Sequence, residues 1–490
     1  MTRSETNLPA FNLCVVAAAL AMVAVLIPVP SAIAQVLAPG AAAVGVARGG
    51  PAYVYGHEAL FFNPANIALD DARGIEITTG RATLGAGGDL LQFRFYNEIF
   101  TSGRTITDEE TRTLMSEWFG GADSGLLRSA TVSAEAIPIA IIHRLGSTSL
   151  AYSVRIRSQS SVSLNGGWLD LLLSGIGTDR TIPLNGQVGA MSTTEFGVSY
   201  ARTLGKNVAI GATPKVIFGN DFADARLEST ATVTESSIVH EYDYAVRAAG
   251  GLSTDLIDRV DLFSSGVING GSFSPSLMSA AGIGFGLDAG VSAGVSPSVR
   301  LSASLTDVGY VRWSDAAQTV RPSATSFTFD GLVLDIDRVR SDYGGDVAEY
   351  FISTVDSLAS EAYKEVDREY TSFTTALPTT LHLGAAWRSA NGRALLTGGT
   401  SAPIFASPVR PSTLPDVHVG AEYSIGGTVR VPVRAGILVG GSSAMTFSLG
   451  LGLHSPRFDL DLGVAATPRS DVMGAGARYM AAVSAITIRL

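Results

Sequence analysis

The chain has 490 residues, of which 46% are hydrophobic and only 16% charged, and it carries a net charge of −10 with a mean hydropathy of +0.28. Soluble domains usually have about a quarter of their residues charged. An acidic balance with no basic stripe speaks against nucleic acid as a partner, and a single cysteine, Cys14, rules out a disulfide framework.

At the N-terminus, Arg3 precedes an apolar run from Val15 to Ile27. Pro28 and Pro30 break the run, and Ala32-Ile33-Ala34 follows. A basic start, an apolar stretch too short to span a bilayer and a small-x-small site are the marks of a secretory leader. Residues 1–34 are therefore expected to be removed, Cys14 with them, leaving a mature chain that begins at Gln35. After residue 34 no stretch approaches the ~18 consecutive apolar residues of a membrane helix.

The later chain alternates instead. Ile283, Phe285, Leu287 and Val291 are interleaved with Gly282, Gly284, Gly286, Asp288, Gly290 and Ser292. Val417, Val419 and Ala421 oppose Asp416, His418, Gly420 and Glu422. Phe447, Leu449 and Leu451 oppose Ser448, Gly450 and Gly452; Phe458, Leu460 and Leu462 oppose Asp459, Asp461 and Gly463. Side chains of a strand point alternately to its two faces, so each segment has one apolar and one polar or small face. One such segment is ordinary for any half-buried antiparallel strand. Six or more segments of ~10 residues, behind a leader, are the pattern of a transmembrane barrel. The final stretch from Met480 to Leu490 alternates too, as expected of a last strand that pairs with the first and leaves no open edge in lipid.

The expected fold is all-β: a transmembrane antiparallel β-barrel of about 14 strands over residues 73–490, an even number being the rule for a bacterial single-chain barrel. The polar faces carry Asp288, Arg300, His382, His418, Glu422, Arg430, Arg434, Arg457, Asp459 and Asp461, all expected to face the lumen.

Two segments depart from the alternation. Thr107 to Gly120 reads as a helix with Thr107 and Glu110 as a capping box, and Asp346 to Tyr370 has apolar residues at helical spacing. Stretches 165–190, 263–279 and 401–415 read as long loops.

Chemical signatures are weak. Gly290-Val291-Ser292-Ala293-Gly294 matches Gly-x-Ser-x-Gly but lies inside a continuous alternating run, where a nucleophile elbow has no strand-to-helix turn. Gly284-x-Gly286-x-x-Ala289 resembles a dinucleotide fingerprint with no helix after it. The six histidines are scattered. Asp330, Asp335, Asp337, Asp342 and Asp346 form an acidic stretch whose spacing fits no EF-hand, and a solvated loop is expected. No catalytic, metal or cofactor constellation emerges, so no enzyme activity and no cofactor are expected.

Residues 47–70 include Ala47-Arg48-Gly49-Gly50 and then Gly56-His57-Glu58-Ala59-Leu60-Phe61-Phe62-Asn63-Pro64-Ala65-Asn66. This resembles the N-terminal segment of the long-chain fatty-acid transporter (FadL-like) superfamily of outer-membrane barrels. Ser304-Leu305-Thr306-Asp307-Val308-Gly309-Tyr310-Val311-Arg312-Trp313, and Leu377-Pro378 leading into Leu381-His382-Leu383-Gly384-Ala385, are similar to a Bacteroidota-type branch of such barrels. The resemblance covers roughly residues 45–490. It implies that residues 35–72 fold into the lumen as a hatch, with Asn63, Pro64 and Ala65 in the hatch motif and Arg48 and Glu58 among the polar groups that hold it. The residues themselves leave a plainer alternative, in which Asn63-Pro64-Ala65 only caps a short helix. The chain departs from the family in ending on Leu490 where such barrels commonly end in an aromatic residue.

The resulting expectation is gated passive transport of a small hydrophobic solute across the outer membrane of a Gram-negative-type bacterium. Outer-membrane lipid, the outer-membrane assembly machinery and a small hydrophobic molecule are the expected partners. The alternatives are a non-conducting barrel that serves protein secretion or surface assembly, and an outer-membrane lipid hydrolase.

Overall fold

The computed structural model describes residues 40–69, 73–90, 106–121, 124–175, 177–251, 280–329, 335–344, 346–347, 349–350, 353, 366–441, 443–467 and 477–490. The expected leader, the loop expected over 263–279 and much of the 346–370 segment lie outside these residues.

Fourteen long strands follow in chain order: β1 (Arg73–Gly88), β2 (Arg128–Leu145), β3 (Thr148–Leu164), β4 (Gly186–Leu204), β5 (Val208–Val233), β6 (Gly282–Gly294) and β7 (Val299–Trp313). The second half is β8 (Thr380–Arg388), β9 (Ala394–Pro403), β10 (Asp416–Gly426), β11 (Arg430–Gly440), β12 (Ser443–His454), β13 (Phe458–Ala466) and β14 (Ala477–Arg489). Each pairs antiparallel with its sequence neighbours. β14 pairs with β1 from Glu76↔Arg489 to Gly88↔Ala477, so the sheet closes and has no free edge.

The alternation sorts as expected. Phe285, Val419 and Leu449 point outward and are 56%, 62% and 63% exposed, whereas Asp288, His418 and Ser448 point inward and are buried. A closed apolar outer band of this kind is what a strand-built membrane span presents to lipid. Arg457 is an exception to the lumenal list: it sits exposed in the tight turn between β12 and β13.

One end of the barrel has tight turns, as from Leu145 to Thr148 and from Gly426 to Arg430, while most connections at the other end are long. In outer-membrane barrels the short-turn end faces the periplasm. At the long-loop end β5 runs on for 26 residues and pairs there with Ile238–Ala249. That strand pairs in turn with Gln318–Pro322 and Ser326–Phe329, which raises the wall above the rest of the barrel.

The helix Asp108–Phe119 forms with the expected capping box at Thr107 and Glu110. Its Leu114, Met115, Trp118 and Phe119 pack toward a second helix, Gly166–Ser174. The latter, with the strand Arg180–Pro183, replaces much of the loop expected over residues 165–190. Gly/Ser content masked a hydrophobic stretch, Trp168-Leu169-Asp170-Leu171-Leu172, that packs as a helix. Likewise Val366–Glu369 is a strand paired with Gln318–Pro322, where helical spacing was expected through Tyr370. Within the acidic stretch Ile336–Asp342 is helical, capped by the Asp335 carboxylate, which accepts from the Arg338 N–H.

Candidate functional site

The lumen is filled by the chain itself. Residues 40–69 lie inside the barrel, almost all of them buried. They form no sheet with the wall. The helix Ala41–Gly45 packs on β11–β14, and the 3-10 helix Pro64–Ala68 packs on β3–β6. Between them Ala47, Arg48, Gly49 and Gly50 all take positive φ, at 56°, 79°, 61° and 65°, a left-handed turn that two of the four make without the freedom of glycine.

Lumen-facing glycines give this segment its room. An added Cβ at Gly290 would stand 2.0 Å from Asn63 Oδ1, at Gly211 2.6 Å from the Ala65 nitrogen, at Gly420 2.6 Å from Val46 Cβ, and at Gly463 2.3 Å from the Ala41 carbonyl. Hydroxyls of the wall donate to its backbone: Ser149 to the Ile67 carbonyl at 3.0 Å, Ser304 to Phe62 at 2.6 Å, Thr397 to Gly49 at 2.7 Å and Ser448 to Gly45 at 3.2 Å. The polar-small face of each strand is thus a cradle for a second chain segment.

The residues singled out from sequence fall as follows. Asn63 caps the 3-10 helix, its Oδ1 accepting from the Ala65 N–H at 3.1 Å, with Pro64 at the first helical position. The same side chain donates to Ser292 Oγ at 3.1 Å on the wall. Capping and wall anchoring therefore coexist. Glu58 accepts from the backbone N–H groups of Ala42 and Ala43 at 3.0 and 3.2 Å, which ties one end of the segment to the other. Burial pushes its carboxyl up to about 7, against the pull of Arg81. Arg48 pairs with Asp416 on β10.

Aromatic contacts add to these. Phe61 lies beneath the Arg81 and Arg155 guanidiniums at 5.2 and 5.3 Å, and the Phe62 ring meets His382 at 4.3 Å. Ser292 accepts from Asn63 and donates to Asn66 Oδ1 at 2.5 Å, an anchoring role that has no signature in a single strand.

On the long-loop side of the segment a buried ion network lines one wall. Asp307 accepts from Arg155 at 2.9 Å, Arg157 at 2.7 Å and Lys215 at 2.6 Å. Glu195 joins Arg155 and Arg157 at 2.6 and 2.5 Å, and Lys215 reaches Asp288 at 2.9 Å. Asp307 sits in the middle of β7 with φ 57°, opposite a register shift between Leu287 and Ala289. The Thr306-Asp307-Val308-Gly309 motif is thereby explained: Asp307 makes the bulge, and a Cβ at Gly309 would stand 2.1 Å from the Phe285 carbonyl.

The segment divides the open space. On its short-turn side is a vestibule of about 530 Å³, lined by Tyr55, His57, Glu58, Arg144, Arg300 and Asp459 among others. Beyond it, cavities beside Arg410 measure about 10 and 30 Å³.

Residues 92–462 match the family described as "Family of unknown function (DUF5723)". The chain belongs to that family. A search of curated proteins finds no match. Among solved structures the chain is similar to a deltaS2S3 mutant of the monoaromatic hydrocarbon channel TodX, at 12% identity and a TM-score of 0.49, over 92% of this chain and 99% of that one. It is similar to the toluene transporter TbuX of Ralstonia pickettii at 11% and 0.44, over 91% and 98%. It is similar to a FadL homologue of Pseudomonas aeruginosa at 12% and 0.46, over 93% and 99%. The barrel of this member of the DUF5723 family rests on its own strand pairing.

Proposed function

We propose that the protein is a gated outer-membrane barrel, inserted after removal of residues 1–34, that passes a small hydrophobic solute when residues 40–69 shift. The observation that carries this reading is how the segment is held. It has no ladder with the wall, only discrete side-chain bonds and van der Waals contact with glycines. Single hydrogen bonds contribute about 1 kcal/mol each, so partial displacement costs far less than opening the sheet. The hydrophobic character of the solute is supported by an apolar patch of the interior toward the long-loop end, with Met191, Ile217, Phe222, Trp313 and Leu377, and by the resemblance to fatty-acid transporter barrels. Hydroxyls elsewhere in the lumen hold the segment, and the buried charges tie wall strands to one another.

A second reading, a non-conducting barrel that supports secretion or surface assembly, draws on the ion network and on the loop between β9 and β10. That loop turns inward, and its Pro408 carbonyl accepts from Ser161 Oγ on β3. A lumen obstructed twice suits a barrel that stays shut.

Uptake by a Gram-negative host separates the two. Cells that display the protein are expected to accumulate a labelled apolar aromatic or acyl compound faster than cells without it, and a labelled sugar no faster. Equal uptake of every compound with and without the protein would put the second reading ahead.

A further inference from the structure

Two ion clusters in the lumen, one beyond the N-terminal segment and one shared with it, differ in charge balance. In the network around Asp307, the cations Arg81, Arg155, Arg157 and Lys215 meet the carboxylates Glu135, Glu195, Asp288 and Asp307, one for one. In the second cluster Arg48, Arg410 and Arg478 gather about one carboxylate among the described residues, Asp416. Arg48 and Arg478 both pair with Asp416. Arg410 forms no salt bridge among the described residues, and its guanidinium donates to Thr380 Oγ1 at 2.6 Å. A guanidinium does not give up its charge, so among the described residues the cluster counts three positive charges to one negative.

Donors are left over as well. Arg478 is only 1% exposed, and its Nε and Nη1 have no hydrogen-bond partner among the described residues while Nη2 serves Asp416. The 30 Å³ cavity lies among these same side chains, lined by Arg48, Arg410, Arg478, Asp416, Thr380 and Ser401. That volume takes a group of one or two heavy atoms deep into the cluster. Burial pulls the Arg48 guanidinium down to about 10, with Asp416 opposing and Arg478 and Arg410 adding to the fall. Burial lowers Arg410 too. Uncompensated buried charge is costly, and unpaired buried N–H groups add to the cost.

We propose that Arg48, Arg410 and Arg478 form a binding site for a compact, singly charged anion of the carboxylate or halide type. The anion accepts from the Arg478 Nε and Nη1 groups and offsets one of the two surplus charges. The site joins three parts of the fold: the left-handed turn of the N-terminal segment, the inward loop and the wall strand β14. The loop is committed to the interior, with Val409 buried beside Phe222 and Trp313 and a Ser407–Arg410 bridge at its tip. An anion here therefore ties the loop to the N-terminal segment. This inference is independent of what, if anything, the barrel transports.

The test uses the purified full-length barrel in detergent, exchanged into a zwitterionic buffer at constant ionic strength. Sodium acetate and sodium bromide are titrated separately while the thermal unfolding midpoint is followed, and bromide-soaked crystals are examined for anomalous density. The expected result is a saturable rise in the midpoint. In Arg410→Gln its half-saturation shifts on the order of tenfold or is lost, equivalent to about 1.4 kcal/mol or more. Arg410→Lys, which keeps the charge, retains the response if Gln proves unfolded. Bromide density is expected within hydrogen-bond reach of Arg478 and Arg410. A response to acetate without bromide density would assign the site to carboxylates. No saturable response to either anion, or one that is unchanged in Arg410→Gln, would overturn the proposal.

Discussion

Replacing Asp307 by alanine is expected to cost about 3–5 kcal/mol of barrel stability, because it removes the shared partner of three buried cations and leaves them under-compensated. Arg155, Arg157 and Lys215 each donate to this carboxylate, and all three are buried. The backbone adds to the effect. Asp307 holds φ 57° in mid-strand, its N–H donates to Asp288 Oδ1 at 2.7 Å and its carbonyl accepts from Thr379 at 2.8 Å. Alanine carries a Cβ into the same left-handed conformation without a side chain that bonds locally. Asp307→Asn keeps an acceptor oxygen for the cations and a residue type that tolerates this conformation, and loses only the charge, so its cost should be smaller. Asp307→Gly relieves the backbone and still loses the charge, so it should remain clearly destabilised. Urea titrations of folding in lipid or detergent read all three. A cost for Asp307→Ala below about 0.5 kcal/mol, the level of an ordinary surface change, would contradict the role given to the network.

Deleting residues 40–69 is expected to raise single-channel conductance in planar bilayers on the order of tenfold or more, since a wide barrel without its plug leaves an aqueous passage. The wall would then present the empty glycine track at Gly211, Gly290, Gly420 and Gly463, with the hydroxyls of Ser149, Ser304, Thr397 and Ser448 free to bind water. The inward loop and the ion network stay, so the current should remain below that of an open porin. If the truncated chain fails to fold, Gly290→Val and Gly420→Val crowd the segment out of its seat by the close approaches already described, and should raise the current more modestly. Unchanged current in all of these would favour a barrel that is shut for other reasons.

The barrel was legible because its determinant is local. A period of two over ~10 residues, repeated, states both the strand and its lipid face, and Val419 or Leu449 needs no partner to declare its side. The helix at Asp108–Phe119 was legible for the same reason, since its capping box spans Thr107 to Glu110. What failed depended on partners. Nothing in Val366–Glu369 announces a strand until Gln318–Pro322 lies beside it. The inner face was only half readable. The many lumenal glycines were visible, but that Gly290 admits Asn63 and Gly420 admits Val46 depends on positions 227 and 374 apart with no periodic relation. Asp307 read as part of a motif, whereas its bulge comes from the pairing with β6 and its three cations from β3 and β5.

The placement of residues 40–69 inside the barrel is tested most directly by photo-cross-linking in membranes. A photo-reactive residue in place of Val46 is predicted to link to the peptides that contain Gly420 and Gly436, and one in place of Ala65 to the peptide that contains Gly211. Cross-links to other proteins alone, or none at all from a barrel that still shows heat-modifiable migration, would contradict it.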